Sequence, residues 1–485
     1  MLANFSVEQS LMKARSHANK GEVAEAEKLY QTILHKFSNN IRAQQGLAAL
    51  NKYKKNKITR NPPQEVVDHL INIYNQGQLK SAFTQAQALS ERYPKTFIIW
   101  KLLGLSSVQI GMLEEAIDAF KKCILLKPDY IDTYINIGVA FKNQGKLDEA
   151  IEAYKKCILL KPDYAEAYSN MGNALRGFIF KKPNRGLHNT ISSLLNQKLF
   201  VRPSDISAAV ISLLKFEPSL QKHLQLVDAR VLESPLDIIS DLDQLPLLRK
   251  LMSICPLPDL ELEKLFKQLR ASILENISSL KEPSPELLRF QSALALQCFT
   301  NEYVYSQSKN EEKAITGLEE KIKGLLSNNE QPSPQAILAL ASYKALNEYD
   351  WCNLLFITDH IEEVFTRQVE EPNHEEELKQ DLPILTEITD CTSSDVRTQY
   401  EESPYPRWLS LSIPSFPKLF PKYLNDKKLN ILNDKIFKIH KPKILIAGCG
   451  TGQHSIEISQ TIANCEILAI DLSLNSLSYA KRKSL

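Results

Sequence analysis

The sequence predicts a mainly α protein: an α-solenoid of repeats, an irregular α-helical middle, and at the end the first βαβ unit of an α/β fold. Three observations predict it. A 34-residue internal repeat runs through 63–178, apolar residues recur at three and four spacing through 179–400, and two short apolar runs flank a glycine turn near the end.

The repeat is the plainest of the three. The string KKCILLKPDY stands at 121–130 and again at 155–164, an offset of 34, and its flanks align without a gap. Trp100, Leu103, Gly104, Ala116, Phe120 and Pro128 in one copy correspond to Tyr134, Ile137, Gly138, Ala150, Tyr154 and Pro162 in the next. This pattern resembles the tetratricopeptide repeat, in which each unit is a pair of antiparallel helices with small residues at their close approach. Pro128 and Pro162 end the second helix of each pair, because proline lacks the amide hydrogen and clashes with the preceding turn. A weaker copy covers 63–96 with Ala82, Ala86, Leu89 and Pro94 in register, and AEAYSNMGNAL at 165–175 opens another. Residues 1–50 place Ala26, Tyr30 and Ile33 at matching positions and read as partial helices of the same kind, separated from the array by a basic linker at 51–62.

The resemblance implies a groove that binds a protein or peptide. Asn136 and Asn170 occupy the same position of successive first helices and are the candidates for hydrogen bonds to an extended ligand's backbone, with Lys101 and Lys142 as further candidates. Cys123 and Cys157 fall at an interior position and read as small buried residues.

The period disappears over 179–400, but segments such as LELEKLFKQLRASILENIS and PELLRFQSALALQCFTNEYVY keep helical spacing. Ser284-Pro-Glu286 and Ser333-Pro-Gln335 are helix-start signatures. The acidic run VEEPNHEEELKQD, 369–381, lacks an apolar stripe and is expected as an exposed loop. His188, His223, His360 and His374 have no carboxylate or cysteine at a catalytic or metal spacing, and Asp359 and His360 would not face each other on a helix.

Residues 401–485 form the last segment. In YEESPYPRW, Pro404 and Pro406 force an extended path that leaves Tyr405 and Trp408 to anchor it on the domain that follows. KILIA at 443–447 reads as a buried parallel strand, GCGTG as a sharp turn, QHSIEISQTIA as a helix and CEILAID as a second strand ending on Asp471. Glycines at 448, 450 and 452 allow a backbone path close to a ligand, and an acid at the end of the second strand suits ribose hydroxyls. The dinucleotide spacing G-x-G-x-x-G is not met, since Gln453 stands where its third glycine would be.

ILIAGCGTG followed by AIDLS is similar to the cofactor-binding start of class I S-adenosylmethionine-dependent methyltransferases, with their Rossmann-like α/β fold, and the YEESPYPRW segment resembles the lead-in of such domains fused to tetratricopeptide arrays. The resemblance implies S-adenosylmethionine as cofactor, Gly448, Cys449, Gly450 and Gly452 as its loop, and Asp471 as its ribose ligand. Ile446 stands where that class often has an acid. A complete domain of the class runs through further strands, so the sequence, ending at SLSYAKRKSL, is expected to be a fragment, with no residue assignable as general base.

Composition restricts the partners. With 59 basic and 57 acidic side chains the net charge is +2, which gives no field for holding nucleic acid. No apolar run is long enough for a membrane span, the longest being broken by Lys101 and Gln109. The eight cysteines include no Cys-x-x-Cys pair, which points away from a metal site and toward a reducing, cytoplasmic setting. Two functions follow: a methyltransferase carrying a protein-binding array, or a non-catalytic scaffold built on that array.

Overall fold

The computed structural model describes residues 6–58, 61–228, 234–277, 283–386, 390–402, 406–414, 416–427, 431 and 433–485. The chain divides into two compact units, Met1–Leu160 and Lys161–Leu485.

Among its described residues the first unit is built of helices alone. Three helices, Val7–Asn19, Val23–Lys36 and Ile41–Ile58, enclose Ala14, Ala26, Tyr30 and Ile33. Ser6 starts the first with a capping box, accepting from the Gln9 amide while the Gln9 side chain accepts from its own. The basic stretch expected as a linker is helical as far as Ile58, because its lysines are good helix formers and no proline intervenes before Pro62.

Three helix pairs follow: Gln64–Asn75 with Leu79–Arg92, Phe97–Ile110 with Leu113–Leu126, and Ile131–Asn143 with Leu147–Leu160. The predicted close approaches are real. A Cβ on Gly104 would lie 2.5 Å from the Phe120 ring, and one on Gly138 would lie 2.4 Å from the Tyr154 ring. Both rings are fully buried. The turns inside the pairs carry a second glycine series, Gly77, Gly111 and Gly145, with φ of +75°, +84° and +80°. That left-handed backbone is why glycine recurs there at the repeat interval. A third periodic contact joins neighbouring repeats, in which the indole of Trp100 and the hydroxyl of Tyr134 donate to the carbonyls of Pro94 and Pro128, at 2.8 and 2.9 Å.

The second unit opens with the helix Ala165–Leu175, where Tyr168 makes the same bond to Pro162 at 2.9 Å. The repeat then ends, where the sequence also departs from the pattern. Gly177, with φ +71°, falls two residues short of the register of Gly145, and short helices at His188–Asn196 and Pro203–Leu214 stand in place of a regular second helix.

Helices to Ala341 build the core of this unit, and Ser284 and Ser333 cap theirs as expected, accepting from the Leu287 and Ala336 amides. The core also contains charge. Arg270 is buried with Glu311 at 3.5 Å, donates to the carbonyls of Tyr305 and Ser306, and lies 4.1 Å from the Tyr343 ring centroid, while the Tyr343 hydroxyl donates to Glu311 at 2.7 Å. These partners offset the desolvation of an interior ion.

The acidic run is a helix, not a loop. A π-helical stretch Thr366–Glu370 leads into Glu371–Lys379, and Arg482 from the end of the chain pairs with Glu371 at 2.9 Å and Glu375 at 2.8 Å. Its inward face is polar and meets a cation, so no apolar stripe is needed.

Gly138→Ala should lower the thermal midpoint, because overpacking against a fixed ring, about 1–3 kcal/mol, exceeds the gain of up to about 1 kcal/mol from replacing a helical glycine. Thermal unfolding followed by circular dichroism measures it. An unchanged or raised midpoint would mean that Tyr154 can move aside.

Candidate functional site

Near the end of the chain, β1 (Lys443–Ala447) and β2 (Glu466–Ile470) pair in parallel with Leu445 opposite Leu468. No third strand joins them among the described residues. The first strand was expected to be buried; instead one face of the pair is open, with Leu445 and Leu468 62% and 57% exposed.

The glycine turn follows β1 directly. The amides of Gly448 and Cys449 donate to the Ile470 carbonyl at 2.9 and 3.0 Å, which ties the turn to the end of β2. Gly448, Gly450 and Gly452 have φ of +69°, +51° and +77°, and the helix Gln453–Thr461 starts from Gly452. The three glycines differ in what a side chain would meet. A Cβ on Gly448 or Gly450 finds nothing within 4 Å, whereas one on Gly452 would lie 2.5 Å from Cβ of Ala480 on the terminal helix Leu474–Ser484. Gly452 is therefore required by packing, while Gly448 and Gly450 border open space.

Asp471 sits beside this space, half-buried, with one carboxylate oxygen accepting from the Gly450 amide at 2.7 Å and the other from the Ser473 amide at 3.0 Å. Those bonds fix its orientation, and the second lone pair of each oxygen remains for another donor. Cys449 is buried, with its thiol 3.7 Å from the Gly450 carbonyl. Burial, and to a lesser degree the charge of Asp471, push that thiol up to about 11.

The lead-in segment packs on the turn. The Trp408 indole donates to the Thr451 carbonyl at 3.0 Å, the Thr451 hydroxyl donates to the Pro406 carbonyl at 2.9 Å, and the Tyr479 hydroxyl donates to the Trp408 carbonyl at 2.6 Å while accepting from its amide at 2.9 Å. Trp408 is thus the expected anchor, whereas Pro404 and Tyr405 lie outside the described residues. Upstream, Glu401 accepts from the Leu474 and Asn475 amides at 2.7 and 3.3 Å and so caps the terminal helix.

In the first unit Asn136 is half-buried on Ile131–Asn143, and in the second Asn170 is half-buried on Ala165–Leu175. Lys101 is engaged internally, its ammonium 2.8 Å from the Tyr130 hydroxyl and 4.9 Å from that ring's centroid. Lys142 is half-buried and has no partner among the described residues. Cys123 and Cys157 are fully buried, and burial raises the Cys123 thiol to about 12.

Two histidines gain carboxylates that the sequence separates. His223, buried, lies 2.9 Å from Asp241, and His188 lies 3.6 Å from Glu217, with burial lowering its pKa against the opposing effect of that glutamate. Asp359 and His360 occupy a turn, not a helix, and with Glu363, Arg249, Lys250 and Arg289 are among the residues that line a cleft of about 330 Å³. Asp243 already holds both arginines, at 3.1 and 2.6 Å. Among the described residues no group of three His, Cys, Asp or Glu side chains is placed to hold a metal, and no helix is long and apolar enough to cross a membrane.

Comparison with known proteins supports the repeats. A model described as tetratricopeptide repeat matches residues 99–130, and one described as TPR repeat matches 140–176. The chain thus carries tetratricopeptide repeats in a mainly helical, solenoid-bearing fold. No curated protein matches it. Solved structures similar to it include a crystal structure of MamA, 22% identical over 37% of this chain and 90% of that one, with a TM-score of 0.24. Another is the first TPR of Spaghetti (RPAP3) bound to the HSP90 peptide SRMEEVD, 17% identical over 24% of this chain and 90% of that one, with a TM-score of 0.23. YrrB, a TPR protein with an unusual peptide-binding site, is 19% identical over 33% of this chain and 90% of that one, with a TM-score of 0.21. Both matched repeat models lie within 99–176.

Iodoacetamide should label the exposed Cys391 and the half-exposed Cys465 at pH 7.5 and leave Cys449 unmodified. Labelling of Cys449 should rise about tenfold per pH unit toward 11, as its small thiolate fraction grows. Mass spectrometry of the peptides reads this. Fast labelling of Cys449 at pH 7.5 would place its side chain in the open space beside Gly450.

Proposed function

We propose that the chain is a protein-interaction module whose tetratricopeptide repeats take an extended peptide. The carrying observation is the match of tetratricopeptide models to 99–130 and 140–176, beside helix pairs that close on the contacts of Gly104 with Phe120 and Gly138 with Tyr154. A rigid array of paired helices presents half-buried polar side chains at fixed intervals, which suits a ligand whose backbone repeats donors and acceptors. Asn136 supplies an amide that can both donate to and accept from such a backbone, and Asn170 holds the equivalent position one repeat later in the sequence. Lys142, without a partner among the described residues, favours acidic peptides over basic ones.

A second reading is favoured by one observation, the open space beside Gly448 and Gly450 with Asp471 at its edge. A small adenosyl ligand fits that chemistry. Asp471 would accept from ribose hydroxyls and the backbone of Gly448, Cys449 and Gly450 would form the wall, with Gly452 serving the packing against Ala480, while Ile446 offers no charge to an amino group. S-adenosylmethionine, when bound, supplies an electrophilic methyl group. On this reading the chain joins a methyltransferase's cofactor segment to the peptide-binding array.

Fluorescence polarisation with labelled extended peptides of acidic, neutral and basic composition separates the first reading from an inert scaffold. Acidic peptides should bind best, and Asn136→Ala should weaken them about three- to tenfold, the worth of one hydrogen bond. Equal, negligible binding of all three sets would remove the peptide-binding reading.

A further inference from the structure

The bonds around Thr451 go beyond attachment. Thr451 is 2% exposed and is held by the lead-in at two points, its carbonyl by the Trp408 indole and its hydroxyl by the Pro406 carbonyl. It lies between Gly450, whose amide orients Asp471, and Gly452, whose missing Cβ admits Ala480. The lead-in is itself held from the other side. The amides of Leu411 and Ile413 donate to the carbonyls of Lys198 and Leu199 at 3.1 and 2.7 Å, and the Ser412 amide donates to Glu457, which also pairs with Arg202. A continuous line of hydrogen bonds thus runs from residues 198–202 through 406–413 to the glycine turn, all within the second unit.

Three glycines with positive φ in five residues would leave the turn many conformations if it were held only at its ends. The amides of Gly448, Cys449 and Gly450 hold it on the β2 side, and the strap holds Thr451 from the other. We propose that Pro406–Trp408 positions the glycine turn for ligand binding: by gripping Thr451 from behind, it keeps Gly448 and Gly450 facing open space and keeps the Gly450 amide on Asp471. Trp408 and Thr451 are positioning residues and touch no ligand themselves. The ligand half of this proposal rests on the adenosyl reading above; the holding of the turn does not.

Two variants of the full chain test it. Trp408→Phe keeps an aromatic ring against Tyr479 and removes the indole donor, and Thr451→Val is nearly isosteric and removes the hydroxyl. Hydrogen–deuterium exchange of residues 448–452 is measured beside that of the helix Leu260–Asn276 as an internal control, together with calorimetric titration of S-adenosylhomocysteine. Each variant should speed exchange in the turn with the control helix unchanged, and weaken S-adenosylhomocysteine about tenfold, the worth of a buried hydrogen bond whose partner is left unsatisfied. Unchanged exchange in the turn overturns the proposal, as does faster exchange with unchanged affinity. Faster exchange in the control helix of both variants would make the contacts a general staple of the fold, which also overturns it. If the wild type binds no S-adenosylhomocysteine, the adenosyl reading and the ligand half fall together, and the exchange result alone then decides whether the strap holds the turn.

Discussion

Two helices can lie as close as those of the central repeats only where one of them has no side chain at the crossing. Gly104 and Gly138 provide that absence, and the rings of Phe120 and Tyr154 occupy the space it leaves. Because the ring is rigid and fully buried, the contact fixes separation and rotation together, with little freedom for the pair to slide. Two other periodic features act beside it. The left-handed turns at Gly111 and Gly145 close a pair of given spacing, and the bond from Tyr134 to the Pro128 carbonyl sets the entry of the next.

The second unit is held together differently. Its helices lack a common period, so no single contact repeats, and specificity comes from buried polar groups with defined partners. Arg270, Glu311 and Tyr343 form one such set; Arg367 with the Thr300 hydroxyl, and Gln368 with the Ala341 carbonyl and the Leu346 amide, form others. Each group is costly to bury alone, which penalises alternative packings that would separate it from its partner. The same principle places the acidic helix Glu371–Lys379 against Arg482.

At the glycine turn the two kinds of constraint meet. Gly452 is a packing glycine of the repeat type, answering to Ala480, whereas Gly448 and Gly450 have open space where a side chain would go. One short motif therefore contains both a structural necessity and a vacant approach. The distinction bears on how such motifs are read, since a glycine fixed by a neighbouring helix says nothing about a ligand.

Local and periodic features were legible in the sequence. The 34-residue interval, the prolines that end helices, the Ser-Pro starts at Ser284 and Ser333, and the strand–turn–helix–strand order around Gly448 each depend on residues close in the chain or on a strict repeat. Pairings between distant residues were not. Nothing in the spacing of His223 and Asp241, of Arg482 and Glu375, or of Trp408 and Thr451 marks them as partners, because each meeting depends on how intervening helices pack. By itself the sequence determined the helical class, the repeats and the glycine turn. Tertiary structure decided which glycines are packing residues, that the acidic run is a docked helix, and that one face of the two-stranded sheet stays open, since these depend on what each surface meets.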